Sequence, residues 1–122
     1  MRKLTLFFSL LSVLSCHKAP DGSVTPAEPK PGPVVESEGI LSDKSPVDGC
    51  SLLLYSVRDS TDFAISDPSL PLIKPYLVYN RGIVDTTVIV RYQTTGNKKD
   101  ASCGWAGPKP FDEVTIVSIK PR

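Results

Sequence analysis

Cysteine is the residue type in this chain with the most distinctive chemistry, and the three cysteines are Cys16, Cys50 and Cys103. A thiol can be alkylated, oxidised to a disulfide or bound to a metal. Histidine, the usual partner of a catalytic or metal-binding thiol, occurs once, as His17. Catalysis that needs a folded His base is therefore excluded, and we assign no catalytic residue, no metal ligand and no cofactor.

Cys16 follows a segment with the layout of an export signal. Arg2 and Lys3 precede an apolar stretch of eleven residues, 4–14, which is too short to span a bilayer at ~20 residues per spanning helix. The next residues, Ser15 and Cys16, complete a Val-Leu-Ser-Cys sequence that resembles the lipobox of bacterial lipoproteins. This pattern predicts a signal peptide over residues 1–15 and a lipid on Cys16. An ordinary secretory signal is the alternative.

Cys50 and Cys103 remain as an even pair in an exported chain, where disulfides persist. A metal site would need further ligands, and a redox pair is typically Cys-x-x-Cys. We therefore expect a Cys50–Cys103 disulfide with Cα atoms within about 7 Å of each other. In the chain-entropy account, closing a loop of this length contributes roughly 4 kcal/mol to stability.

Aromatic side chains are the candidates for a ligand platform. Trp105 lies between two glycines just after Cys103, and Tyr76 and Tyr92 are the other candidates. The alternative to a ligand-binding role is that the Trp105 indole packs against the disulfide, and we favour this alternative. Asp59, Asp62 and Asp67 are close enough in sequence for a weak calcium site, but a solvated hairpin is the preferred interpretation.

The elements that would position these residues are strands. Residues 16–44 contain the lipidated Cys and a proline-rich segment, which predicts an extended tether. Residues 45–122 contain the strand patterns, and the clearest is residues 83–95, where Val84, Thr86, Val88, Val90 and Tyr92 alternate with polar positions. The other expected strands are residues 50–58, 63–65, 76–79 and 114–120. Apolar side chains on both faces of residues 50–58 predict a strand that is covered on both sides. Residues 80–82 and 96–100 are the expected turns on either side of the strand 83–95. The class is all-β: a small five-stranded antiparallel barrel (OB-like) or a minimal β-sandwich, with one disulfide.

The order of short motifs resembles small Bacteroidota lipoproteins to which no activity is assigned. The shared parts are an Asp-Gly-Cys opening at Cys50, the aromatic segment 76–79, the alternation ending at Tyr92, Cys103-Gly104, and a terminal run like residues 114–119. More weakly, the layout is similar to the OB-like domain of NigD-like lipoproteins. The resemblance implies a fold and a location, and no activity.

The leading functional expectation is a non-catalytic, membrane-anchored β-domain that binds an envelope protein, a glycan or another small ligand. A net charge of +1 and a largest cationic cluster of Lys98-Lys99 argue against nucleic acid. Alternatives are an inhibitor or immunity-type protein that uses the segment 97–102, and a hydrolase that uses two of Asp59, Asp62, Asp67, Asp85 and Asp112. His17 after the lipidated Cys favours the outer membrane, and a single late acidic residue, Asp21, favours its periplasmic face.

We predict that Cys16→Ser releases the protein from membranes or leaves it unprocessed, because no other residue of this segment offers a thiol for alkylation. Cell fractionation and mass spectrometry of the mature N-terminus measure the outcome. A wild-type N-terminus that is cleaved but carries no lipid would contradict the prediction.

Overall fold

The computed structural model describes residues 28–122, so the expected signal peptide and Cys16 lie outside the described residues. The strands are β1 (Val35–Asp43), β2 (Leu53–Ser56), β3 (Thr61–Ile65), β4 (Tyr79–Asn80), β5 (Ile83–Ser102) and β6 (Pro108–Pro121). One short α-helix, α1, spans Leu70–Ile73, and 3₁₀ helices span Ser45–Val47, Asp67–Ser69, Lys74–Tyr76 and Gly104–Ala106. The all-β class is confirmed. Within the described residues, no helix has both the length and the hydropathy of a transmembrane span.

The six strands form one mixed sheet in the order β1-β2-β3-β6-β5-β4, and β1 also pairs with β5. Five strands therefore pair in a circuit, β1–β2–β3–β6–β5–β1. Four of its five pairings are antiparallel, and the β3–β6 pairing is parallel through Ala64–Glu113 and Ile65–Val114. The expectation of a wholly antiparallel arrangement is therefore wrong for one pair.

Strand β1 lies inside the segment that the sequence assigns to the tether, so the expected domain start at residue 45 is wrong. Its nine residues pair with β5 along their whole length, and residues 39–42 also pair with β2. The inward positions are Ser37, Gly39 and Leu41, and this set has too little apolar character for a visible alternation. Gly39 is needed for close approach, since a Cβ there would lie 2.8 Å from a Leu54 methyl carbon.

The core lies inside the circuit and follows period two along each strand. The inward residues of β5, Val84, Val88, Val90 and Tyr92, are buried as the alternation predicts. Leu54, Phe63 and Ile116 complete this core from β2, β3 and β6. Leu53 faces the opposite way and is buried in a second, smaller cluster, which confirms that β2 is covered on both faces.

The segment between β3 and β4 is helical, so the expected strand 76–79 is wrong except at Tyr79. Pro68, Pro71 and Pro75 each occupy a first-turn position of a short helix, where the fixed φ of proline is compatible and its missing N–H is not needed. This segment covers the free edge of β6: the Ile116 N–H donates to Ser69 Oγ at 2.8 Å.

The expected turn at residues 96–100 is also wrong, because β5 continues through it to Ser102. The register shifts between Thr94 and Lys98, and Gly96 in this bulge has a φ of +83°. Beyond the shift, Lys98–Ser102 pairs with Pro108–Asp112 of β6. We call this two-stranded extension, residues 98–112, the arm.

We predict that a chain shortened to begin at Ser45 does not fold, whereas one that begins at Glu28 does. The shorter chain lacks β1, which leaves the facing edges of β2 and β5 unpaired and opens the core. Circular dichroism with thermal melting measures the difference. A cooperative melt in the chain that begins at Ser45 would show that β1 is dispensable.

Candidate functional site

A covalent bond joins the turn between β1 and β2 to the turn at the end of the arm. Cys50 and Cys103 form a disulfide with Cα atoms 3.8 Å apart, which confirms the expected pairing. Next to it, the Ser51 N–H donates to the Ser102 carbonyl at 2.8 Å. Gly104 has a φ of +51°, and a Cβ there would lie 2.5 Å from the Asp48 carbonyl oxygen. The two turns are therefore in backbone contact.

The arm packs over the outward face of β2 and β3. Leu53 and Ala64 from these strands are buried together with Ala101 of the arm, and Phe111 packs against them while half-buried. The Lys99 ammonium donates to the Ile65 carbonyl at 2.8 Å and to Asp67 Oδ1 at 2.6 Å. These contacts position the arm along the end of β3.

A cleft of about 420 Å³ lies where the arm meets the sheet. Its walls come from three parts of the chain: residues 99–102 of the arm, residues near the start of β2 and the end of β3, and the pair Leu70 and Tyr79. Asp43, at the end of β1, completes the lining. We call it the Tyr79 cleft. Its volume is in the range of ~300–1,000 Å³ that is typical of small-molecule sites.

Tyr79 gives the cleft an aromatic surface. The side chain is 56% exposed, and its hydroxyl donates to Asp43 Oδ2 at 3.4 Å. The other oxygen of Asp43 accepts bonds from the Ser45 N–H and hydroxyl, which fixes the carboxylate. Leu70 and Tyr79 also line an apolar depression of about 640 Å³ with Pro71, Lys74 and Leu77. Tyr79 therefore lines both a cleft of mixed polar and apolar character and a more apolar depression beside it.

The charges in the Tyr79 cleft are not balanced. The Lys99 ammonium is engaged with Asp67 and a carbonyl, while the carboxylates of Asp43 and Asp100 also line the space. The hydroxyls of Ser51 and Ser102 add neutral hydrogen-bonding groups. Such a lining suits a ligand that presents hydroxyl or amine donors on one side and an apolar face on the other.

Tyr92 is not part of a ligand platform, because it is a core residue with 1% of its surface exposed. Its ring packs against Phe63 with centroids 5.5 Å apart, its hydroxyl donates to Asp59 Oδ2, and Ser56 Oγ lies 2.6 Å from the same hydroxyl. Burial, together with the hydrogen bond to Asp59, raises the pKa of Tyr92. The phenol therefore stays neutral and stabilises the turn between β2 and β3.

The other two platform candidates are also separate from each other. Tyr76 is half-buried against the core, and its hydroxyl donates to the Ile119 carbonyl at 3.4 Å. Trp105 is 92% exposed, so the expected packing of its indole on the disulfide is wrong. The structure thus brings none of Tyr76, Tyr92 and Trp105 together, and the aromatic ring that lines a cleft is Tyr79.

The candidate carboxylates do not form a metal site. In residues 28–122 no three His, Cys, Asp or Glu side chains are grouped to hold a metal ion, so Asp59, Asp62 and Asp67 do not form the calcium site considered above. Asp59 accepts the Tyr92 hydroxyl, Asp67 pairs with Lys99, and Asp112 pairs with Lys98 at 3.0 Å. These three carboxylates have structural partners.

Sequence reasoning missed Tyr79 and Leu70 because their position depends on the helical segment before β4, which was not expected; only residues 76–79 were assigned there, as a strand. The signal that was available is the spacing of Pro68, Pro71 and Pro75, which suits successive short helices as well as an edge strand.

Compared with known proteins, the chain matches no family model, no curated protein and no solved structure.

Proposed function

We propose that the chain is an envelope lipoprotein whose OB-like β-domain binds a saccharide unit in the Tyr79 cleft without chemically changing it. The observation that carries the proposal is the composition of this cleft: an exposed aromatic ring next to a fixed carboxylate, with a further carboxylate and two hydroxyl groups in the same lining. A sugar ring has a matching pair of surfaces, an apolar C–H face and a rim of hydroxyl donors.

The strand order supports the OB-like part of the proposal. An OB-fold is a partly open, five-stranded Greek-key barrel that binds oligosaccharides or oligonucleotides across strands 2 and 3 and the loops beside them. The closed pairing of five strands, β1–β2–β3–β6–β5–β1, is consistent with that description. The Tyr79 cleft adjoins β2, β3 and the end of β5. A saccharide suits the cleft better than a nucleic acid, since the uncompensated charges in its lining are carboxylates.

Anchoring through Cys16 is supported by the lipobox-like sequence and by the pairing of the other two cysteines. Because the residue after Cys16 is His17, we place the anchor in the outer membrane, and we place the domain on its periplasmic face. We include in the same proposal that the chain is related to the small Bacteroidota lipoproteins that its motifs resemble. Strand β1 and the bond from the Gly32 N–H to the Thr94 carbonyl, at 2.9 Å, leave 15 residues between Cys16 and Gly32 as the connection.

The two alternative functions have less support. The inhibitor hypothesis relied on residues 97–102 as a projecting loop, but residues 98–102 are paired strand in the arm. The hydrolase hypothesis needs two of the five candidate carboxylates to converge. Asp59, Asp67 and Asp112 are engaged by Tyr92, Lys99 and Lys98, and Asp85 lines a surface depression that Asp62 does not line. Of the two carboxylates in the Tyr79 cleft, Asp43 is held by Tyr79 and Ser45. A binding role needs no such convergence.

We predict that mono- and disaccharides shift the amide resonances of residues around the Tyr79 cleft in the ¹⁵N-labelled protein, and that Tyr79→Ala weakens binding at least tenfold. Tenfold corresponds to about 1.4 kcal/mol, a modest value for an aromatic stacking surface. The matched control is Val78→Ala, since Val78 is the neighbouring exposed residue and does not line the cleft. Unchanged affinity in Tyr79→Ala, or no saccharide bound at all, would overturn the proposal.

A further inference from the structure

Trp105 is the most exposed large apolar side chain of the described residues and the only tryptophan in the chain. An indole normally buries most of its surface and satisfies its N–H. Here it stands 92% exposed, and it lines neither the Tyr79 cleft nor the apolar depression beside it. Saccharide binding in the cleft therefore does not account for it.

The exposure is not the result of a loose loop. The turn that carries Trp105 is closed by the Cys103 N–H donating to the Gly107 carbonyl at 2.9 Å and the Ala106 N–H donating to the Cys103 carbonyl at 3.0 Å. The disulfide and the contact between Gly104 and Asp48 fix this turn against the β1–β2 turn. An aromatic side chain on a fixed turn loses little conformational entropy when it is buried by a partner.

A second exposed apolar side chain flanks the same contact. Val47, which precedes Asp48 in the 3₁₀ helix, is 58% exposed. The two turns, residues 44–49 and 103–109, contain Lys44 and Lys109 against one acid, Asp48. We call these two turns the tip; it is apolar with a small positive charge.

We propose that the tip docks into the interfacial layer of the membrane that holds the lipid anchor, with Trp105 at headgroup depth. The proposal rests on the lipidation of Cys16 proposed above. Tryptophan is enriched at membrane–water interfaces because its ring is apolar and its N–H is polar. Lys44 and Lys109 supply positive charges that anionic lipid headgroups attract.

The length of chain outside the sheet allows this contact. The 15 residues between Cys16 and Gly32 span at most roughly 54 Å at ~3.6 Å per residue. Strand β1 separates Gly32 from the tip by roughly 30 Å, given nine residues at ~3.3 Å each. The linker can therefore reach past the domain to the membrane. Anchoring also raises the effective concentration of the tip at the bilayer, so a weak contact suffices.

The test uses the full chain as cells process it, mixed with vesicles whose phospholipids are brominated near the headgroup end of the acyl chains. Because Trp105 is the single tryptophan, its fluorescence reports directly on the tip. We expect a blue-shifted emission and quenching by the brominated lipid. Emission typical of water, with no quenching, in protein that floats with the vesicles would overturn the docking and leave the lipidation intact.

Two variants separate docking from general proximity to the membrane. Val47→Ser should reduce the quenching while the protein still floats with the vesicles, and Val117→Ser, which removes an exposed valine on β6 outside the tip, should leave it unchanged. Equal quenching in both variants and the wild type would overturn the proposal. A protein that does not float refutes the lipid anchor and the docking with it. A blue shift that requires an added envelope protein identifies a protein as the occupant and overturns the membrane.

Discussion

The Cys50–Cys103 disulfide is the constraint on which the candidate site depends. It joins the β1–β2 turn to the end of β5, which are distant in sequence, and so holds the arm against β2 and β3. The apolar contact beneath the arm is small: its buried members are Leu53, Ala64 and Ala101. In the chain-entropy account a loop of this length contributes roughly 4 kcal/mol, which is comparable to the lower end of a domain's whole stability of about 5–15 kcal/mol. The disulfide therefore supplies the stabilisation of the arm on the sheet that this small apolar cluster does not.

Both proposed binding surfaces depend on this constraint. The Tyr79 cleft has one wall on the arm and another on β2 and β3, so its width is set by how closely the arm lies on the sheet. The tip consists of the two turns that the disulfide joins, so Val47 and Trp105 are presented together. Lys99 adds a directional contact, but this ion pair is partly exposed, and such pairs contribute little to stability. The Lys99 contact therefore sets the direction of the arm and adds little to the free energy that keeps the arm on the sheet.

Sequence reasoning succeeded where the residue types alone identify a buried strand face or a cysteine pair. The alternation through Val84, Val88 and Tyr92 predicted the buried face of β5, and cysteine parity predicted the disulfide. It failed where burial comes from neighbouring strands. The inward face of β1 consists of Ser37, Gly39 and Leu41, a set that does not read as a buried strand in the sequence. These residues are buried because β2 and β5 pair with β1 on either side, and the Ser56 hydroxyl hydrogen-bonds to Ser37. It also failed at Gly96, where a bulge has the same composition as a turn, and at Tyr79, whose position depends on the helical segment before it.

Hydrogen exchange of the double variant Cys50→Ser/Cys103→Ser, compared with the wild type, tests the central claim that the disulfide holds the arm on an otherwise self-sufficient circuit of strands. Amides within the circuit, such as Val88 and Val90 of β5, should stay protected by their pairing with β1 and by the core around them. Their loss should not exceed about a thousandfold, which corresponds to the roughly 4 kcal/mol of the chain-entropy contribution. Amides of the arm, residues 98–112, should exchange nearly as fast as in an unfolded chain, and the Tyr79 cleft should lose its arm wall. Unchanged protection in the arm would contradict the account, and so would an equal loss throughout the domain.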